Sequence, residues 1–229
     1  MRRIRVIVII LLLAGITMLL YPAVSNLWNN FHSSAAITDY NYRMEEMDES
    51  ERLKLIADAR AYNKKLAESF GAFAMDEGQK KIYEELLNIN GDGIMGYIQI
   101  PSIDVLLPIY HGTGENVLQL GVGHLEWSSL PVGGDGSHCV LLAHRGLPSA
   151  KLFTDLDRLK IGDRFTLTVL DEIYIYEVDQ IKTVLPEDLS EIRSEKGKEL
   201  CTLVTCTPYG INTHRLLVRG HRVECDEFF

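Results

Sequence analysis

The sequence predicts a mainly β fold, a closed or nearly closed mixed β-barrel of about seven to eight strands with N-terminal and peripheral helices. Three observations carry this expectation. From residue 93 onward, short runs rich in Val, Ile, Leu and Tyr alternate with Gly, Pro, Asp and Asn, the punctuation of short strands. Helical spacing dominates the segment before them, where apolar residues recur every three to four positions. The 229 residues, 46% hydrophobic and 24% charged, suit one core of ordinary size.

The chain opens with Arg2, Arg3 and Arg5, followed by an uncharged apolar stretch over 6–24. Its length approaches the roughly 20 residues that span a bilayer, so it reads as a membrane anchor. No Lys or Arg follows until Arg43, and this asymmetry puts the N-terminus in the cytoplasm and the rest outside. A cleaved signal peptide, with Ala23 and Ser25 as the small residues, is the competing reading and exports the same domain. The expected organisation is therefore 1–24 as cytoplasmic tip and span, 25–92 as an extracellular helical arm, and 93–229 as the barrel that carries the chemistry.

Within the arm, Leu55, Ala59, Tyr62, Leu66 and Phe70 mark an amphipathic helix over 48–70, with Gly71 in the stop position. A second helix, 79–87, ends in the turn-rich Asn90-Gly91-Asp92-Gly93. Strands are predicted at 95–100, 105–110, 138–144, 164–170, 173–178, 200–206 and 214–222. Short helices fit near 116–120 and 149–156, and 186–198 is polar loop with a helical turn.

Thirty-two acids against 23 bases give a net charge of −9, the wrong sign for a protein that neutralises many phosphates. Four irregularly spaced cysteines are too few for a disulfide-stapled scaffold. Cys201, Cys206, His214 and His221 fit no usual zinc spacing, and no metal or other cofactor is expected. Cys139 and Cys201 lie five residues before His144 and Cys206, which makes them potential cross-strand neighbours and, more simply, buried free thiols. His111, His124 and His221 are expected to be structural or exposed.

The chemistry concentrates near the C-terminus. Leu203-Val204-Thr205 runs apolar into Cys206, Thr207-Pro208-Tyr209-Gly210 breaks the strand, and Asn212-Thr213-His214-Arg215 begins the next. A thiol at a strand end with a cation one hairpin away suits a nucleophile with a group to hold an oxyanion. His144 ends another apolar strand, Cys139-Val140-Leu141-Leu142-Ala143, and supplies a general acid/base. Each taken alone also fits a bland role: an inert buried cysteine, a core histidine, a salt-bridged arginine.

The run Thr202-Leu203-Val204-Thr205-Cys206-Thr207-Pro208-Tyr209-Gly210 with Asn212-Thr213-His214-Arg215-Leu216 resembles the signature of sortases, the cysteine transpeptidases of Gram-positive cell surfaces. Upstream, Leu107-Pro108-Ile109-Tyr110-His111-Gly112, Gly121-Val122-Gly123-His124-Leu125 and His144-Arg145-Gly146-Leu147-Pro148-Ser149-Ala150-Lys151-Leu152-Phe153 look like the pilus-assembling class C. The resemblance covers roughly 93–223. It implies a sortase barrel with Cys206 as nucleophile, His144 as general acid/base and Arg215 as oxyanion stabiliser, and Thr205, Thr207 and Asn212 are expected at the substrate. It also implies cleavage of an LPXTG-like signal at Thr–Gly through a thioester and transfer to a pilin lysine, with pilins or other surface proteins as partners.

Two departures stand out. No proline lies between 23 and 100, so the Asp-Pro-aromatic lid of many class C members is absent, and 71–77, with Phe73 and Asp76, reads as an interhelix loop. A second, C-terminal span is also missing from the sequence, so one anchor is expected to suffice. Attachment of single proteins to peptidoglycan cross-bridges is the alternative activity, and a non-enzymatic exported binding barrel is the third reading.

Overall fold

The computed structural model describes residues 2–68 and 75–224. Eight strands form the barrel: β1 (Ile94–Ile100), β2 (Val105–His111), β3 (Val122–His124), β4 (His138–Leu142), β5 (Arg164–Val169), β6 (Glu172–Val184), β7 (Leu200–Thr207) and β8 (His214–Val223). Their order is β1-β2-β3-β4-β7-β8-β6-β5, closed by β5 on β1. Pairs β2/β3 and β4/β7 are parallel and the rest antiparallel, giving the mixed barrel that the sequence predicts.

Strand β3 was not expected. Its three residues, one of them glycine, are too few to show a period, and β2 and β4 hold it on either side. Strand β6 runs six residues beyond its predicted end, because β8 pairs with it from Ile175 to Val184, past a bulge between Val178 and Gln180. The barrel wall is tight where β1 meets β5: a Cβ on Gly96 would come within 2.2 Å of the Thr168 carbonyl oxygen.

The helices depart further from expectation. Helix α1 runs unbroken over Arg2–Glu46, through the expected boundary at residue 24. Past that point Ser33, Ile37, Tyr40 and Met44 are buried, one face of a helix laid along the barrel. The Tyr40 hydroxyl donates to Met95 O at 3.1 Å and accepts from Leu170 N at 2.8 Å, tying α1 to β1 and to the turn after β5. Burial pushes its phenol pKa far upward.

Helix α2 (Glu49–Glu68) buries Ile56, Ala59 and Asn63. Asn63 grips the segment before β4, with Nδ2 donating to Leu130 O at 3.0 Å and Oδ1 accepting from Leu130 N at 2.7 Å. Helix α3 (Glu77–Glu85) starts at an Asp76 and Gln79 capping box, and α4 (Glu115–Leu118) sits between β2 and β3. The helix expected over 149–156 does not form; that segment is a loop followed by a 3₁₀ turn, Leu156–Arg158. The 186–198 loop holds the short 3₁₀ turn Ser190–Ile192. Phe73 and Cys225 lie outside the described residues, and Asp76 serves as the cap of α3.

Candidate active site

The site forms where β4, β7 and β8 end together. Strand β4 pairs with β7 from His138↔Leu200 to Leu142↔Val204, and Ala143 N extends the ladder by donating to Val204 O at 3.2 Å. His144 and Cys206 each stand two residues past the last registered pair, so a parallel register brings them to the same height. On the other side of β7, Cys206 is the cross-strand partner of Arg215.

Strand parity fixes the face. Val140, Val204 and Leu217 form a small cluster separate from the main core, joined by Leu125, Leu142, Val184 and Ile192. Cys206 has the parity of Val204 and pairs with Arg215 as Val204 pairs with Leu217, so thiol and guanidinium share the outer face of the wall. Cys139, Leu141, Cys201, Leu203, Leu216 and Val218 have the other parity and belong to the main core. The wall is thus apolar on both faces up to its end, where the polar residues begin.

Cys206 is a half-buried free thiol. His144 Nε2 is shielded from solvent, makes no hydrogen bond among the described residues, and lies 3.4 Å from Glu115 Oε1 on α4. Gln119 Nε2 donates to the same carboxylate oxygen at 3.1 Å and steadies it. The loop leading to α4 is fastened from below, where Gly112 N donates to the buried Tyr83 hydroxyl at 2.9 Å. Arg215 Nη1 donates to Asn212 O at 3.2 Å and His214 O at 3.1 Å, which folds the guanidinium back over its own turn. Asn212 takes φ 61°, the left-handed region that asparagine tolerates better than most residues.

The expected substrate contacts divide. Thr205 has the inner parity, is 2% exposed, and donates from Oγ1 to Ala143 O at 2.8 Å. Its hydroxyl braces the residue before His144, and its side chain is on the opposite face of β7 from Cys206. Thr207 Oγ1 accepts from Arg145 Nη1 at 3.1 Å, and Asn212 is exposed at the hairpin tip.

Arg145 enters the sequence reading only within the run that resembles class C sortases. In the structure Nε donates to Thr154 O at 3.2 Å, Nη1 to Thr207, Nη2 pairs with Asp157, and the guanidinium lies 5.9 Å from the centre of the Tyr209 ring. The same ring sits 2.9 Å from where a Cβ on Gly146 would be, and Gly146 has φ +75°. Its place beside His144 was the one available signal. Glu115 gave none, being an exposed acid in a four-residue helix.

Behind the site, Cys139 and Cys201 are registered neighbours, free and buried, as their offsets suggest. Burial, then the neighbouring Cys139, pushes the Cys201 thiol well up. His111 directs Nδ1 at Gly93 O and Nε2 at Leu86 O, a structural position. No cluster of three potential metal ligands occurs among the described residues.

Comparison with known proteins identifies the family. The sortase domain family matches residues 98–223. Sortase C1 of Streptococcus agalactiae superposes with a TM-score of 0.82 at 54% identity, covering 84% of this chain and 100% of that one. Sortase C of Clostridium perfringens, solved with the C-terminal cell wall sorting motif, gives 0.74 at 44% identity, covering 84% and 100%. A curated relative, sortase A of Streptococcus agalactiae serotype III, is 33% identical over 138 residues, 59% of this chain and 55% of its own length. The chain spans little more than half the length of such curated relatives. The chain belongs to the sortase family, and its solved neighbours place it with class C.

Proposed function

We propose that this chain is a membrane-held cysteine transpeptidase that cleaves an LPXTG-like sorting signal between Thr and Gly and passes the acyl group to a pilin lysine. The observation that carries the reading is the meeting of Cys206, Arg215 and His144 at one strand end, the first two on the outer face of the wall. The Cys206 thiolate attacks the Thr carbonyl carbon, and Arg215 faces the oxygen that becomes negative. His144 donates a proton to the departing Gly amine, leaving a thioester. The incoming lysine amine then gives its proton to His144 as it displaces the thiol, so the bond is conserved without ATP. Thr207 and Asn212 flank the acyl site, and Thr205 supports it from within.

The membrane part rests on α1, whose segment Arg3–Glu46 is long and apolar enough to cross a bilayer, with arginines only before the apolar run until Arg43. The reading is N-terminus inside, barrel outside.

The test is mass spectrometry of the chain incubated with an LPXTG-type peptide, then with pilin. An adduct on Cys206 that is lost in Cys206→Ala and chases into a lysine-linked product is the expected result. An adduct resolved only by a peptidoglycan cross-bridge amine would replace pilus assembly with wall attachment. No adduct on any tested signal would overturn the transpeptidase reading.

A further inference from the structure

The face of α1 opposite the barrel is apolar well past the end of the span. Leu20, Tyr21, Val24, Leu27, Trp28 and Phe31 fall on one stripe at spacings of three and four, and all are more than half exposed. On the barrel side of the same turns the helix is already polar. Asn26 Oδ1 accepts from Lys151 N at 2.9 Å, and Asn29 Nδ2 donates to Ser149 O at 2.8 Å.

Ser149 and Lys151 belong to a hairpin that springs from the catalytic end of the barrel. Its base is closed by Phe153 N donating to His144 O at 3.1 Å, and Leu147 bridges Ala150 near its tip. At most about 18 Å of extended chain therefore separates His144 from Ser149. Along α1, Asn29 lies only about 7.5 Å beyond Val24. The polar headgroup layer itself is roughly 5–7 Å deep on each side of the hydrocarbon.

From these distances we infer that the barrel sits on the outer surface of the phospholipid bilayer with its catalytic end toward it, held there by Leu27, Trp28 and Phe31 in the headgroup layer. This inference rests on the membrane-anchor reading of α1 and adds orientation to it. Trp28, just beyond an apolar span, suits the interface, where its amphipathic ring has one side in each medium, and Phe31 adds apolar area beside it. The occupant of the stripe is lipid, because the stripe continues without a break from residues that form the span itself. The consequence for the reaction is that Cys206 meets acyl donors near the membrane surface, as chains emerging from the same membrane.

The test uses the full chain in phosphatidylcholine and phosphatidylglycerol vesicles. In the Trp127→Phe variant, Trp28 is the sole tryptophan, and lipids brominated high in the acyl chain should remove at least about half of its emission if it lies at the interface. A fluorophore on Pro148→Cys, in a Cys206→Ala and Cys225→Ser background, should be quenched by headgroup nitroxide lipids. Release of the chain by an alkaline carbonate wash would overturn the anchor and the seating together. A chain that stays in the vesicles with both probes unquenched would overturn the seating alone. Trp28 shielded from bromolipid and from aqueous iodide alike would assign the stripe to a second copy of α1 and also overturn it.

Discussion

His144 Nε2 and Glu115 Oε1 stand 3.4 Å apart, and no hydrogen bond to Nε2 forms among the described residues. The carboxylate is the counter-charge nearest to the imidazolium that forms when the ring takes a proton from thiol or amine. It is 69% exposed, so its influence is screened by salt. Glu115→Gln should lower kcat/KM by up to about fivefold at low ionic strength, the size of a part-exposed pair, and by less at high salt. A loss that did not shrink with salt would mean that Glu115 acts through the shape of α4 and not through its charge.

Thr205 supplies a different kind of support. Its hydroxyl is buried and satisfies Ala143 O, the carbonyl immediately before His144. Thr205→Val keeps the shape and leaves that carbonyl short of a donor, at a cost of about 1–3 kcal/mol. The expected outcome is a thermal midpoint lower by several degrees, with kcat falling more than KM because the base moves relative to Cys206. A rise in KM alone would return Thr205 to the substrate.

Thr205 shows what the sequence holds and what it conceals. Strands β7 and β8 were legible because each is an apolar run stopped by turn residues, and Cys206, His144 and Arg215 stood at the ends of such runs. Neighbouring residues on a strand face opposite ways, so the Thr205 side chain lies on the other face of β7 from Cys206; parity alone carries that information. The barrel half of α1 was concealed because its buried positions mix Ser33 with Ile37, Tyr40 and Met44, a weak stripe that only the barrel completes. Glu115 and Arg145 depend on contacts between elements distant in sequence, which no local pattern reports.

Arg145 joins three pieces of the cleft: Thr154 and Asp157 beyond the hairpin, and Thr207 at the end of β7. Its side chain is only 8% exposed, and the bonds use the geometry of the guanidinium fork. Arg145→Lys keeps the charge and loses the fork. We expect a lower thermal midpoint and kcat/KM reduced by about tenfold, the effect of roughly 1.4 kcal/mol of lost positioning. Full activity in Arg145→Lys would show that charge alone is needed there.

Stability should depend on His138, at the far end of β4 from the site. Nδ1 lies 2.8 Å from Arg193 O and Nε2 2.7 Å from the Thr202 hydroxyl, an arrangement complete for a neutral ring with its proton on Nδ1. Burial holds its pKa below the usual imidazole range; Arg193 O opposes this through its hydrogen bond, Arg219 adds to the lowering, and Glu195 and Asp179 oppose it. Above about pH 6.5 the folded and unfolded chains both carry the ring neutral, and its contribution does not change. Below that, the unfolded chain takes up a proton that the folded one resists, so stability falls with pH by at most about 1.4 kcal/mol per unit. His111, lowered chiefly by burial, adds in the same direction. Denaturant midpoints of the chain in detergent should therefore drop between pH 7 and 5.5, and His138→Gln should flatten the slope by one histidine's share. An unchanged slope in that variant would mean that His138 takes its proton as readily folded as unfolded.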